Sequence, residues 1–530
     1  MQPAETPSID RALEPGPPRV LLLVLVLGAA TVAAVVLGGG NVFLALAPCL
    51  LALLLGALWT LPLRVPLLAL LAISWVAEIA GDSFASGRLH TPLALAGDLL
   101  FVKLNDLLPV SALVFSGFDV LLLLLGVILL YRHAVGSGVD RTRWVAAPRV
   151  LGQAALLSLA ALLCLSLSGL ARGGDFRFVL WQVTRHLYLP VIYFFMVEAL
   201  RGAIDATSVG VILLGAGFFR AVEAMILRQL FPSIEVLPHA TTHHDTVLFA
   251  VCFAILLALV LERPTRRSLK IVALLLPVYL GGMVANNRRL VWVELGMVAA
   301  FFFLLTPRGR AKRVLSRALV LSLLPILLYA AAGWSSGSSL FRPVQTVRSL
   351  FDAKVDGSTR WRDFENHDLV FTFKQSPLFG SGFGRPYVED WILPGELTGV
   401  YDLEPYIPHN SVLGLWAFGG LLGFSLLWFI YPVGIFFAVR AYRCARTPTE
   451  RITALGASGV LICYLMQGYG DLGFGTWGPV FTLAAALALV GKICVANGAW
   501  PDPRASRPAA RPPSPHPAGG AASVSAQGAG

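Results

Sequence analysis

The sequence has few charged residues: Asp, Glu, Lys and Arg occupy 13% of its 530 positions, whereas hydrophobic residues occupy 56%. This scarcity of charge excludes a string of three or four soluble domains, which the length alone would allow. The apolar residues occur in runs long enough to cross a bilayer. Because a spanning segment must satisfy its own backbone hydrogen bonds, such runs form helices. The composition therefore predicts an all-α, polytopic membrane protein.

Paired cysteines, internal repeats and a nucleic-acid-binding surface are also lacking. The six cysteines are scattered without metal-ligand or redox spacing, which is typical of small buried side chains. The lack of an internal repeat disfavours a secondary transporter built from two related halves. Although the net charge is +11, the basic residues cluster in short loops between apolar runs, as in cytoplasmic loops, so we expect no nucleic-acid partner.

The apolar runs predict a bundle of about 12 to 14 transmembrane helices, oriented by the Lys and Arg content of the loops. A polar segment, 81–106, interrupts them and is interpreted as a surface or re-entrant segment. The first run is long enough to remain as an anchor, so no cleavable signal peptide is expected. The predicted spans are 20–37, 42–60, 65–80, 107–130, 150–170, 178–200, 209–230, 246–261, 271–285, 290–305, 318–332, 411–439, 454–467 and 479–495.

One long loop, 333–408, has seven Lys and Arg against ten Asp and Glu, and it is predicted to lie outside. The Pro-, Ala-, Ser- and Gly-rich C-terminal segment has a composition typical of disorder. The predicted organisation is a cytoplasmic tail (1–18), a bundle of about eleven helices (19–332), the outer loop (333–408), the C-terminal transmembrane helices (409–495) and a disordered cytoplasmic tail (496–530).

A histidine stands at the outer mouth of one predicted helix. Pro408-His409-Asn410 ends the outer loop and leads directly into the apolar run that begins at Ser411. A histidine where water meets hydrocarbon can accept or give a proton near neutral pH, as a general base must. The alternative is that His409 and Asn410 only cap the helix.

The outer loop also contains a predicted short helix followed by a glycine-rich turn. Residues 363–374 have apolar side chains at helical spacing, and Ser376-Pro377 ends the pattern. The turn contains Gly380 and Gly382, which let the backbone bend tightly or approach a ligand closely. It is therefore either an ordinary tight turn or a phosphate-binding turn.

Several arginines lie where they could meet an anionic ligand. Arg288 and Arg289 occupy the outer tip of a predicted hairpin, where snorkelling to the interface is the alternative role. Arg220 lies within a span, three residues before Glu223, so it either contacts a ligand or forms a structural ion pair. Arg360 and Arg362 precede the short helix of the outer loop.

The order of these features resembles the O-antigen ligase and polymerase superfamily, membrane glycosyltransferases of bacterial envelope polysaccharide assembly. The resemblance covers roughly residues 281–424. It departs from the family pattern at Asn287, where a small residue is usual, and at Trp361, which stands between the two loop arginines, so either arginine could be the functional one. The matching pieces are Asn287-Arg288-Arg289, then Arg360 or Arg362 with SPLFGSG at 376–382, then His409-Asn410.

The resemblance implies a bundle similar to membrane-embedded glycosyltransferases of the C type, in the bacterial inner membrane with the active site facing the periplasm. The implied donor is an oligosaccharide linked to undecaprenyl diphosphate, and the acceptor is a glycan or lipid A core. Membrane lipids and other polysaccharide assembly proteins are further expected partners. Ligation, polymerisation and transfer to protein share these motifs and stay open. The alternative is a flippase or transporter of lipid-linked glycan, or a non-catalytic component of an export system.

The same resemblance implies the roles of particular residues. His409 would act as general base. No metal or cofactor is expected, because guanidinium groups can neutralise the leaving diphosphate. Arg288, Arg289, Arg360, Arg362 and Arg220 would bind the donor diphosphate, and Asn410, Gly380 and Gly382 would support the site.

Overall fold

A computed structural model of the chain describes residues 17–37, 42–77, 115–134, 146–232, 239–307, 309–336, 357–394, 404–470 and 474–503, with isolated positions at 97–102 and 338–348. The described residues form α-helices and contain no strand. The helices are α1 (Pro17–Leu37), α2 (Val42–Thr60), α3 (Arg64–Val76), α4 (Gly117–Ala134), α5 (Arg149–Ala171), α6 (Phe176–Ala199), α7 (Ala203–Leu230), α8 (His244–Glu262), α9 (Arg266–Asn286), α10 (Leu290–Leu305), α11 (Arg310–Gly333), α12 (Gly357–Gln375), α13 (Ser411–Trp428), α14 (Ile430–Cys444), α15 (Pro448–Gly470) and α16 (Trp477–Ala496).

Within the described residues, seven helical stretches are long and apolar enough to cross a membrane: α5, α7, α8, α9, the consecutive pair α13 and α14, α15, and α16. The protein is therefore a multi-pass, all-α membrane protein, and the predicted fold class is confirmed. Each predicted span overlaps at least one helix. Three helices begin well before their predicted spans, α7 at Ala203, α11 at Arg310 and α15 at Pro448, because a helix can continue through polar residues outside the apolar run.

Three predicted segments lie wholly or largely outside the described residues: both terminal tails and the polar segment 81–106. The short helix of the outer loop is present as α12, and it is longer at its N-terminal end than the predicted 363–374. The predicted span 411–439 is two helices, α13 and α14, rather than one.

Helix α16 forms the centre of the bundle, because its residues from Gly478 to Val495 are all buried. Its sequence alternates large aliphatic residues with alanine and glycine, and small residues let neighbouring helix backbones approach closely in a membrane. It packs against α6, α14, α15 and α3. The site described below lies at the end of the bundle where α6, α8, α13 and α16 begin.

A break in α13 receives the glycine-rich turn of the outer loop. Gly420 interrupts the helix with φ 57° and ψ −165°, a conformation that favours glycine. Such a break leaves backbone groups without intrahelical partners, which is costly at membrane depth. The turn supplies the partners through four bonds: Ser381 N–H to Ala417 O (3.0 Å), Gly382 N–H to Phe418 O (2.9 Å), Leu421 N–H to Pro377 O (2.8 Å) and Leu422 N–H to Leu378 O (3.1 Å).

The other side of the turn rests on the end of α5, where Gly169 allows direct backbone contact. A Cβ atom at Gly169 would lie 1.7 Å from Phe383 O. We expect Gly169→Ala to displace the turn and to lower both the melting temperature and the yield of monodisperse protein in detergent. Gly210→Ala in α7 is the matched control, since no atom lies within 4 Å of that position. Equal thermal stability of the two variants would contradict this packing.

Candidate functional site

His409 lies against a buried carboxylate of α12. Its backbone N–H donates to both oxygens of Glu365, at 3.0 and 3.1 Å, and its Nδ1 lies 3.3 Å from Glu365 Oε1. The Glu365 side chain is 0% exposed, whereas the His409 side chain is 21% exposed. A neutral imidazole that donates from Nδ1 to a carboxylate keeps its lone pair on Nε2. The contact therefore gives His409 the orientation that a general base needs.

Two further aromatic side chains lie near this pair. The indole of Trp361 meets the His409 ring edge-on, with ring centroids 4.4 Å apart, and it lies one helical turn before Glu365 on the same face of α12. Tyr387 is buried, and burial raises the pKa of its phenol, with the nearby charges of Glu365 and Asp368 raising it further. The phenol therefore stays neutral at physiological pH, and both neighbours of the pair are uncharged.

Asn410 connects α13 to α12. Its Oδ1 accepts a hydrogen bond from Leu413 N–H at 3.1 Å, which caps the start of α13. Its Nδ2 donates to Asn366 Oδ1 at 3.0 Å. Asn410 is therefore the residue that caps α13, whereas the side chain of His409 makes a separate contact with Glu365.

The two loop arginines flank Trp361 on opposite sides of α12. Arg360 is exposed and Arg362 is half-buried. Arg362 lies four residues before Asn366, so it shares the helix flank that contacts Asn410. Of the two arginines, Arg362 is therefore better placed to act beside the start of α13.

The backbone conformation at position 287 explains why the hairpin motif has asparagine there. It ends α9 in the left-handed conformation, with φ 54° and ψ 35°, which asparagine tolerates better than most residues. The turn directs Arg288 to the segment before α8, where its Nη1 lies 3.0 Å from His243 Nε2. Arg289, half-buried, directly precedes α10.

Arg220 is held by two carboxylates inside the bundle. Its Nε and Nη2 donate to the two oxygens of Asp245, at 3.0 and 2.8 Å, and its Nη1 donates to Glu223 at 2.6 Å. The Arg220 side chain is 3% exposed. This geometry favours the structural ion pair, with Asp245 as a partner that sequence reasoning did not assign, and contact with phosphate stays a prediction.

The glycine-rich turn uses all five of its backbone N–H groups from Gly380 to Gly384 within the protein, so this stretch presents no cradle of amides to a phosphate. The ordinary tight turn is thus the interpretation that its geometry favours. Besides the bonds of Ser381 and Gly382 to α13, the donors and acceptors are Gly380 N–H to Ser376 O (2.8 Å), Phe383 N–H to Leu165 O (3.1 Å) and Gly384 N–H to Gln182 Oε1 (2.6 Å).

A cavity of about 360 Å³ opens between α3, α6, α7, α8 and α16. Its wall includes Arg185, Arg220 and His243, the last of which contacts Arg288. A smaller cavity of about 30 Å³ lies beside Pro408 and Ser411, on either side of His409 in sequence. Arg185 lines both cavities, and its guanidinium lies 5.8 Å from the ring of Trp181. Arg185 thus stands between the arginine-containing cavity and the surroundings of His409.

Sequence reasoning did not assign Glu365 or Arg185 to this site. Arg185 is recognisable in the sequence as a charged residue within a span, which usually faces a cavity. Glu365 has no comparable signal, because it is one of ten acidic residues of the outer loop. Only the packing of α12 on the start of α13 distinguishes it from the others.

The described helices define the chain as a multi-pass membrane protein, and its candidate site combines a histidine oriented by a buried carboxylate with a cavity whose wall contains arginines. Residues 276–428 match the family model described as O-antigen ligase. The matched stretch contains the hairpin arginines, α12, the glycine-rich turn and His409, so this part of the chain is similar to the O-antigen ligase family. No curated protein matches the chain.

Proposed function

We propose that the protein transfers or polymerises an oligosaccharide from undecaprenyl diphosphate onto an acceptor glycan, at the periplasmic face of the bacterial inner membrane. The observation that carries the proposal is the contact of His409 with buried Glu365, inside the stretch that matches the O-antigen ligase family. A histidine that only capped α13 would not need a carboxylate on its ring, since Asn410 already provides the cap.

The proposed reaction is a single displacement at the anomeric carbon of the donor. His409 Nε2 takes the proton of the acceptor hydroxyl while the hydroxyl oxygen forms the new glycosidic bond. The bond between the anomeric carbon and the diphosphate oxygen breaks, and lipid diphosphate leaves with the electron pair. Guanidinium groups, foremost Arg288 and Arg362, neutralise the charge that develops on the diphosphate.

The loop charges support the periplasmic assignment. The loops 262–270 and 306–317, at the end of the bundle opposite to His409, carry an excess of Lys and Arg, which marks cytoplasmic loops. His409, Arg288 and α12 then face the periplasm, where lipid-linked oligosaccharides are joined to acceptors in this superfamily.

The direct test is transfer by the purified protein in detergent, with a lipid-diphosphate oligosaccharide as donor and a glycan as acceptor, with and without EDTA. Product formation that survives EDTA supports a metal-independent glycosyltransferase. Loss of product with EDTA, restored by added metal, would refute metal independence. Movement of intact donor across vesicle membranes without transfer would favour the flippase alternative.

Glu365→Gln tests the orientation of the base. Glutamine keeps an oxygen acceptor for the backbone of His409 but removes the charge beside Nδ1. We expect the turnover number to fall about 10- to 100-fold, the equivalent of a hydrogen bond to a charged group of about 1.5–3 kcal/mol. The KM values of donor and acceptor should not change, as steady-state kinetics would show. Asp363→Asn, on the exposed face of the same helix, is the control and should retain full activity.

A further inference from the structure

A tryptophan of the outer loop is held rigidly against α12. Both Asp390 N–H and Trp391 N–H donate to Asp368 Oδ1, at 3.0 and 2.9 Å. Val388 N–H donates to Thr372 Oγ1 at 2.7 Å. Asp368 is fully buried, and burial raises the pKa of its carboxyl while the two N–H donors oppose that shift. The backbone that carries Trp391 is thus fixed by protein contacts rather than by solvent.

The indole of Trp391 is stacked on a neighbouring ring and partly exposed. The ring of His367 stacks on it with centroids 3.7 Å apart and an interplanar angle of 11°. His367 Nε2 in turn lies 2.9 Å from Asp390 Oδ2, and Phe364 meets the indole edge-on at 5.5 Å. Trp391 nevertheless remains 45% exposed. A fixed, half-covered aromatic ring is a platform on which a flat apolar surface can stack.

The polar rim of this platform opposes membrane insertion. Glu389 and Asp390 directly precede Trp391 in the chain, and both are exposed. Carboxylates are costly in hydrocarbon and are repelled by anionic lipid headgroups. Interfacial tryptophans of membrane proteins are usually accompanied by Lys and Arg instead. These two carboxylates therefore favour a water-soluble ligand on Trp391, whereas Ile392, which follows it and is 87% exposed, is the neighbour that a lipid surface would contact.

We propose that Trp391, backed by His367, forms a binding subsite for a sugar ring of the acceptor glycan. A pyranose ring presents a face of C–H groups to stack on the indole and a rim of hydroxyl groups to donate hydrogen bonds to Asp390 and Glu389. The acidic rim disfavours the diphosphate of the donor and the sugar next to it, so we assign the subsite to the acceptor. Assignment of this glycan as the acceptor rests on the proposed function.

The position of the subsite on α12 fits an acceptor that reaches His409. The platform contacts α12 at Phe364, His367 and Asp368, whereas His409 contacts it at Trp361 and Glu365. The two sets are displaced by about three residues, or about 5 Å along the helix axis at 1.5 Å per residue. Along the helix axis, a glycan stacked on Trp391 is therefore close to the level of the base.

The test measures acceptor binding separately from catalysis. The background is the His409→Ala protein, in which slow turnover does not consume the ligand. The affinity for the acceptor is measured by calorimetry and by saturation-transfer NMR. The protein with Trp391 intact is compared with the Trp391→Phe and Trp391→Ala variants. We expect Trp391→Ala to weaken binding about tenfold, and Trp391→Phe to weaken it less, as loss of one stacked ring predicts. Trp334→Ala is the matched control, because Trp334 is 48% exposed at the end of α11 and is distant in sequence from the platform.

In the catalytically competent protein, Trp391→Ala should raise the KM of the acceptor by the same factor without changing the KM of the donor or the turnover number. Unchanged acceptor binding in Trp391→Ala would overturn the subsite. If Trp391→Ala bound the glycan as before but associated more weakly with lipid vesicles, the subsite would be overturned and Trp391 would be a membrane anchor. Absence of transfer by the wild-type protein, with glycan binding that still depends on Trp391, would refute the catalytic proposal and support the subsite.

Discussion

Replacement of His409 by alanine is expected to lower the turnover number by about 10²- to 10⁴-fold, the range that a positioned general base contributes. The acceptor hydroxyl would then have no group to take its proton as the glycosidic bond forms. The two hydrogen bonds from the backbone N–H of residue 409 to Glu365 do not involve the imidazole, so they persist in the variant. Folding and membrane insertion should therefore be retained.

The measurement is the rate of product formation at saturating donor and acceptor, for variant and wild type at equal concentrations of folded protein. Thermal unfolding and size-exclusion chromatography in detergent verify that the comparison is between folded proteins. A folded His409→Ala variant with the turnover number of the wild type would show that another group is the base. The proposed mechanism would then be wrong even if the protein is a transferase.

Replacement of Arg288 is expected to have the second largest effect. Arg288→Ala should lower the rate about 10²- to 10³-fold, as the removal of one preorganised donor to a developing oxyanion does. Arg288→Lys should recover only part of that loss, because lysine keeps the charge but cannot make a planar two-point contact with phosphate. The rate of transfer from the lipid-diphosphate donor is the measurement for both variants.

Three further arginines make this experiment specific. Arg385 is exposed on the outer loop and has no assigned role, so Arg385→Lys serves as the control and should be fully active. Arg362→Lys should reduce the rate more than Arg360→Lys, since Arg362 shares the flank of α12 that contacts Asn410. Full activity of Arg288→Lys and Arg288→Ala would leave Arg288 as an interfacial anchor, the alternative that its place at a helix end also allows.

The helices were predictable from the sequence because each membrane crossing needs about 20 apolar residues, and several of the loops between the runs are rich in Lys and Arg. The break at Gly420 was not predictable in the same way. The run from 411 to 439 is apolar on both sides of the break, and hydropathy does not register a change in backbone conformation. The break exists because the turn at 376–384 satisfies its backbone groups, which is a tertiary contact.

The residues of the candidate site also divide into those that the sequence indicates and those that only tertiary contacts reveal. His409, Asn410, Arg288 and Arg289 could be proposed from the sequence because they are polar residues at the ends of apolar runs, whereas Arg360 and Arg362 were proposed from the family resemblance. Glu365 could not be proposed from the sequence, because it lies 44 residues before His409 and its importance comes from burial by the start of α13. Arg220 was found, yet its partner Asp245 lies 25 residues away on another helix, and no spacing rule links them.

The junction of the glycine-rich turn with α13 has a consequence for biosynthesis. The groups exposed at Gly420 would be costly in the bilayer if α13 entered it alone. The chain is made from its N-terminus, so α5 and the residues of the turn have emerged before α13 is complete. Their carbonyl and amide groups are then available when the broken helix arrives, and the order of synthesis supplies the partner ahead of the helix that requires it. A circular permutation that placed α13 before the turn would remove that advantage without altering a single contact of the finished protein.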